Sequence, residues 1–274
     1  MTEGRIVASG LAFPEGPVFH GGEVLFTEIT GGRISACAAD GSVRVVAETG
    51  GGPSGATIGA DGALWITQNG GMGHGPRAQA GIQRAALDGT VTEPFTSVAG
   101  ITLEGPNDLC VGPDGRLWFT DPRGESDPGS NGLNGRLFAV DIATGDGELV
   151  AELEPVFPNG IAFDGDGVLH WTESFTRRVM RLVGGAPELV VQLPERYFPD
   201  GMCFGADGTM YVASTYGHCV SVIDGSGEIV DRLMCGDGMP TNCCFAGTSL
   251  YVTESRRGTL WRFDLGVEGL ALGA

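Results

Sequence analysis

Apolar and polar residues alternate along this chain in short runs broken by Gly-rich turns, and one unit of that pattern recurs six times. Each copy opens with Pro and a small or polar residue and runs into a short apolar strand. It turns on an Asp-Gly-like pair and returns as a strand that ends in Thr or Ala followed by a polar side chain. The copies begin at Pro14, Pro53, Pro106, Pro158, Pro199 and Pro240, which are 39, 53, 52, 41 and 41 residues apart. Their turns are Gly21-Gly22, Asp61-Gly62, Asp114-Gly115, Asp166-Gly167, Asp207-Gly208 and Gly247-Thr248. In every copy the residue after Pro precedes the closing Thr or Ala by 12 or 13 positions. Asp-Gly between two alternating runs is hairpin chemistry, and no long stretch carries the i, i+3, i+4, i+7 spacing of a helix.

Two more strands follow in each unit, as at 135–141 and 148–153. Four antiparallel strands every 40 to 50 residues predict a propeller blade. The expected architecture is all-β, a six-bladed β-propeller forming a single domain over residues 1–274. The last copy is short of a fourth strand, because only ten residues follow Asp264. The segment 5–9 precedes the first Pro and belongs to no copy. It is expected to supply the missing outer strand and close the ring, which removes an open sheet edge.

Composition narrows the chemistry. The chain has 48 Gly, a formal net charge of −18, and 16 basic residues that are all Arg. Without Lys there is no Schiff-base amine and no P-loop. The acidic excess argues against a nucleic-acid or anionic-membrane surface. No apolar run reaches the length of a membrane span, and the N-terminal residues lack a signal-peptide pattern, so a cytoplasmic protein, monomeric or weakly homo-oligomeric, is expected. The seven Cys are odd in number and form no C-x-x-C pair, which predicts buried free thiols.

Blade geometry places residues on faces. The residues after each Pro form one ring: Glu15, Ser54, Asn107, Asn159, Asp200 and Thr241. The residues after each closing Thr or Ala form another: Glu28, Gln68, Asp121, Glu173, Ser214 and Glu254. Both rings are expected at the same mouth of the axis. Polar groups converging there are costly unless something satisfies them, and a hard cation such as Ca²⁺ takes six to eight oxygens from such groups. Glu15, Asn107, Asn159 and Asp200 are the candidate ligands. Any one of them alone reads first as a cap on local backbone groups, but capping does not require convergence, and four in register favour the cation. Long inserts at 69–77 and 122–131 overhang the same mouth, with Asp121, His74 and Arg123 as candidate substrate contacts. No G-x-S-x-G nucleophile elbow occurs. Gly71-x-Gly73-x-Gly75 leads into a Pro-containing loop where a dinucleotide site needs a helix. Of the four His, none is at zinc-site spacing, and His170 reads as a core residue.

The segments Phe13-Pro14-Glu15-Gly16-Pro17-Val18, Pro106-Asn107-Asp108-Leu109, Asp114-Gly115-Arg116-Leu117-Trp118-Phe119-Thr120-Asp121-Pro122, Phe157-Pro158-Asn159-Gly160 and Pro199-Asp200-Gly201-Met202 resemble the SMP-30/gluconolactonase/LRE-like family. The resemblance implies a six-bladed propeller that hydrolyses lactones around one axial divalent metal, Ca²⁺ foremost, with Mg²⁺, Mn²⁺, Zn²⁺ or Fe²⁺ as alternatives. It implies Glu15, Asn159 and Asp200 as metal ligands and Asn107 on the same metal or on substrate. It also implies Asp200 as general base and Glu125 as a substrate contact. The family's sugar-binding Arg two residues before the Asn of the N-D pair is Gly105 here. A small-molecule lactone is therefore the expected partner. Organophosphate or aryl-ester hydrolysis at the same site, and a non-catalytic binding propeller with a structural ion, are the alternatives.

Overall fold

The computed structural model describes residues 2–71, 78–124 and 126–271. Six four-stranded antiparallel sheets follow one another along the chain, each pairing its strands in sequence order except the last. Blade 1 comprises Pro14–His20, Glu23–Glu28, Arg33–Cys37 and Val43–Glu48. Blades 2 to 5 begin with Pro53–Ile58, Leu109–Val111, Pro158–Phe163 and Pro199–Phe204. First strands of neighbouring blades pack against one another around a closed ring, so they line the axis. Blade 6 is Pro240–Ala246, Ser249–Glu254 and Thr259–Asp264, and its outer strand is Arg5–Ser9, antiparallel to Thr259–Asp264. The all-β six-bladed architecture and the closure by the N-terminal strand are as the repeat register predicts.

The last residues do something the register does not show. They cross beneath the turn side, where Leu270 N–H donates to the Phe204 carbonyl (2.9 Å) and Gly269 N–H to that of Gly247 (3.1 Å). The tail thereby ties blade 5 to blade 6.

The apolar core is divided among the blade boundaries, and strand alternation explains how. Leu25 faces a cluster shared with blade 2, containing Ala56, Leu64 and Ile66. Phe26, one residue on, faces blade 6 and packs with Leu260 and Leu11. A period of two sends successive side chains to opposite faces, so Thr27 points toward blade 2 again. There its hydroxyl donates to the carbonyl of Ser54 (2.5 Å). The same step recurs. Thr67 donates to the Asn107 carbonyl (2.5 Å), Thr120 to Asn159 (2.7 Å) and Thr172 to Asp200 (2.8 Å). The repeated Thr is thus a clip that fixes the backbone of the next blade at its ring residue. Blade 5 has Ala213 in this position, and between blades 6 and 1 the donor is Thr241, which reaches the Pro14 carbonyl (2.9 Å).

All seven Cys are free thiols. His170 is buried, with Nδ1 3.1 Å from the Val168 carbonyl and its ring edge-on to Phe204.

Two outcomes follow. Thr120→Val keeps shape but leaves the Asn159 carbonyl without its hydroxyl, which should cost about 1–2 kcal/mol. In thermal unfolding that is a fall of roughly 2–8 °C for a chain of this size. Deleting residues 1–9 bares the edge of Thr259–Asp264, and should lower the midpoint further and produce concentration-dependent aggregation in light scattering.

Candidate active site at the axial mouth

The residues of the first ring lie where the chain turns into the innermost strands. At two of these entries the backbone is strained. Phe13 and Phe157, each followed by Pro, sit at φ +59° and +53°, a left-handed conformation that costs a bulky residue on the order of 1–3 kcal/mol. Both are held there by their carbonyls, which accept from Ile29 (2.9 Å) and Ser174 (3.0 Å). Glu15 and Asn159 follow two residues further on.

Asn159 is buried and donates its amide to Ser174 Oγ (3.3 Å), and the same amide favours the ionised form of the neighbouring Asp200. Ser174 Oγ is oriented in turn by the Pro199 carbonyl (2.7 Å). With the amide nitrogen turned toward Ser174, the side-chain oxygen of Asn159 is the atom left for an outside partner. Asn107 is half-buried, and its Oδ1 accepts from Ser54 Oγ at 3.5 Å. Glu15 is buried, with Oε2 taking the Gly16 N–H (2.6 Å) and the Asn242 amide (3.1 Å).

Asp108 and Asn242 are site residues that the ring reading passes over. The position after each ring residue reads Gly16, Gly55, Asp108, Gly160, Gly201, Asn242. Blades 3 and 6 are opposite in a six-blade ring, and their two polar side chains meet: Asn242 Nδ2 donates to Asp108 Oδ2 at 3.2 Å. The glycines make room. A Cβ on Gly55 would fall 2.4 Å from Asp108 Oδ1, and one on Gly201 would fall 2.0 Å from the Asn242 amide carbon. That four-glycine, two-polar pattern was the available signal. Beyond this pair, toward the turn side, the axis widens into a cavity of about 900 Å³ with walls that include Val18, Ile161, Met202 and Phe245.

Glu15, Asp108 and Asp200 therefore form a group of like charges. Burial, reinforced by the Asp108 charge, pushes the Glu15 carboxyl up to about 8. Burial raises Asp108 to about 7, against the Leu109 and Ile161 N–H groups and the Asn242 amide that favour its ionised form. Asp200 is raised well above the usual carboxylate range by burial and then by the charges of Glu15 and Asp108. Among the described residues no arginine bonds to any of the three. Nor does any group of three or more His, Cys, Asp or Glu side chains lie within ligating reach of one point, so a cation here would depend on amide oxygens as well.

The second ring corrects the expectation that both rings face the mouth. Its members are buried and satisfied inside their own blades. Glu28 accepts from Arg33 Nε (2.8 Å), Ser35 Oγ (2.5 Å) and the Ala12 N–H (2.6 Å). Glu254 takes the Met239 N–H (2.8 Å) and Thr259 Oγ1 (2.7 Å). Asp121, expected as a substrate contact, is fully buried and spends its carboxylate on Arg136 (2.5 Å) and on the N–H groups of Glu104 and Gly105. It pins the loop before blade 3 and is not presented to a substrate. Arg123 lies on the overhanging loop, φ +61°, with its guanidinium on Glu104 (2.9 and 3.3 Å). His74 and Glu125 lie outside the described residues.

Solved structures share the propeller fold. A gluconolactonase of Xanthomonas campestris superposes with a TM-score of 0.80 at 24 % identity, over 96 % of this chain and 89 % of the other. Regucalcin of Agrobacterium tumefaciens, a calcium-binding protein, superposes at 0.78 with 20 % identity, over 100 % and 96 %. A luciferin-regenerating enzyme gives 0.79 and 18 %, over 99 % and 98 %. At these identities the likeness is one of fold. No curated protein matches the sequence. The sequence profile described as the SMP-30/Gluconolactonase/LRE-like region matches residues 13–256. The chain belongs to the SMP-30/gluconolactonase/LRE-like family.

Proposed function

We propose that this propeller is a divalent-cation-dependent lactonase whose reaction takes place at the axial mouth bearing Glu15, Asn159 and Asp200. One observation carries the reading: the buried Glu15 and Asp108 and the half-buried Asp200 lie close enough to raise one another's proton affinity, with no basic side chain among their partners. Such a cluster is costly by itself and is relieved by an external cation. The donors fit a hard ion, since carboxylates and amide oxygens are what Ca²⁺, Mg²⁺ and Mn²⁺ prefer. Glu15, Asn159 and Asp200 would hold it, with Asn107 beside them. When bound, the ion would supply charge to polarise a lactone carbonyl and stabilise the oxyanion that develops on it.

The chain's own residues do the rest. Asn159 is fixed by Ser174, so its oxygen needs no reorganisation on binding. Asp200, beside the Asn159 amide and the Gly201 N–H that favour its ionised form, accepts the proton of the attacking water. Asn107, outside that pair, orients the lactone. Arg123, tethered by Glu104, lies on a loop that would meet the substituents of the ring.

Asp200→Asn should reduce kcat toward gluconolactone or γ-butyrolactone by about 10²–10⁴-fold while keeping the thermal midpoint. An active variant overturns the base assignment. A parallel assay with paraoxon separates lactones from phosphotriesters. A protein that turns over none of these with any of the metals is a binding propeller.

The raised carboxyls also set a pH dependence. In the unfolded chain Asp108 and Glu15 ionise near 4, whereas in the folded chain they do so near 7 and 8. The folded state holds the extra protons, so the stability contributed by these two groups is fully present below about pH 4 and is lost by the time pH has risen through 7–8. Chelator-treated protein should therefore lose roughly 1–3 kcal/mol between pH 6.5 and 8.5, at up to about 1.4 kcal/mol per proton per pH unit. Asp108→Asn should flatten the curve, and added Ca²⁺ should abolish the fall.

A further inference from the structure

We infer that Asn242 is a positioning residue that holds Glu15 in place for the cation; this rests on the cation-dependent reading above. Its amide is oriented without ambiguity. Oδ1 accepts the Cys243 N–H at 2.8 Å, so the NH₂ group must face the axis. There it has two hydrogens and two acceptors, Glu15 Oε2 at 3.1 Å and Asp108 Oδ2 at 3.2 Å. One neutral side chain thus spans two carboxylates that would otherwise repel each other, one from blade 1 and one from blade 3.

The backbone of Asn242 is pinned independently. Its N–H donates to Thr253 Oγ1 (3.1 Å), and that hydroxyl donates back to the Asn242 carbonyl (3.2 Å). Gly201 leaves the amide its space, since any Cβ there would collide with it. If the position served only to fill the axis, an aliphatic side chain would do so without the need for two aligned acceptors. Glycine occupies the equivalent place in four other blades, so nothing in blade architecture requires an amide here. What the amide adds is a directional hold on Glu15, whose other close donor to Oε2 is its own neighbour Gly16. Without it, Glu15 could rotate away from Asn159 and Asp200, and the cation would lose one of its two proposed charged ligands.

The test is calorimetric titration of chelator-stripped protein with CaCl₂, alongside the rise in thermal midpoint that Ca²⁺ produces. Asn242→Ala should weaken Ca²⁺ binding by tenfold or more and shrink that rise. Thr253→Val, which disturbs the same strand but leaves the bridging amide in place, should lower the midpoint of the stripped protein yet keep the wild-type Kd. Should Asn242→Ala fail to fold, Asn242→Ser, too short to reach both carboxylates, is expected to show the same loss. Binding by the alanine or serine variant within twofold of wild type overturns the inference. So does an equal loss of affinity in Thr253→Val. Wild-type protein that binds none of Ca²⁺, Mg²⁺ or Mn²⁺ overturns the cation reading itself, and the inference with it.

Discussion

A threonine hydroxyl donating across a blade boundary is the interaction on which the rest of this molecule depends. Thr27, Thr67, Thr120 and Thr172 each close the second strand of one blade and bond the carbonyl of the ring residue in the next. Apolar packing between blades is strong but non-directional, so by itself it leaves neighbouring blades free to slide by fractions of an ångström. A buried carbonyl with one correctly placed donor does not allow that, because losing the bond exposes the full cost of an unsatisfied group. The clip therefore converts a stack of sheets into a ring with fixed register. The atoms it fixes belong to the residues whose side chains make the site.

That register is what permits the acidic cluster. Raising the Asp108 carboxyl from 3.8 to about 7 corresponds to a few kcal/mol of unfavourable burial, on the order of 4 by the usual conversion. A softer scaffold would relax by rotating Asp108 and Glu15 apart. Here Asp108 is tied to Leu109, Ile161 and Asn242, and Glu15 to Gly16 and Asn242. The strained entries at Phe13 and Phe157 add to the same stored cost. Stability held back in this way, at one mouth of an otherwise well-packed fold, is the usual mark of a site built for a partner.

The fold was legible because its signals are local. A turn pair, a closing Thr and a constant 12- to 13-residue interval each reflect chain geometry that no distant contact can override. The same locality made the N-terminal closure readable, since a missing strand and a spare one can be matched by counting. The tail beneath blades 5 and 6 was not legible, because its bonds come from backbone groups of Gly247, Gly269 and Leu270 that carry no side-chain signature. Of the site, the first ring could be named from strand entry alone. Asp108 and Asn242 could not, because their partnership exists only once blades 3 and 6 face each other across the axis. Gly55 and Gly201 recorded that partnership in the sequence, but a glycine in a Gly-rich chain does not announce which neighbour it accommodates.

Asp121 and Glu15 show why position on a face does not determine what a carboxylate does. Both are buried at strand ends on the same side of the disc. Asp121 stands opposite Arg136 in its own sheet and beside two free backbone N–H groups, so its charge is consumed locally and its oxygens are closed to solvent. Glu15 begins an innermost strand, where the neighbours across the axis are other blades' first strands and none supplies a cation. An acidic residue on the second strand can recruit an arginine from the third, as Glu28 does with Arg33 and Asp121 with Arg136. One on the first strand has only the axis. Whether a carboxylate is paired within its own blade thus comes down to how far it lies from the third strand. Among the described residues the axial ones, Glu15, Asp108 and Asp200, have no arginine among their partners.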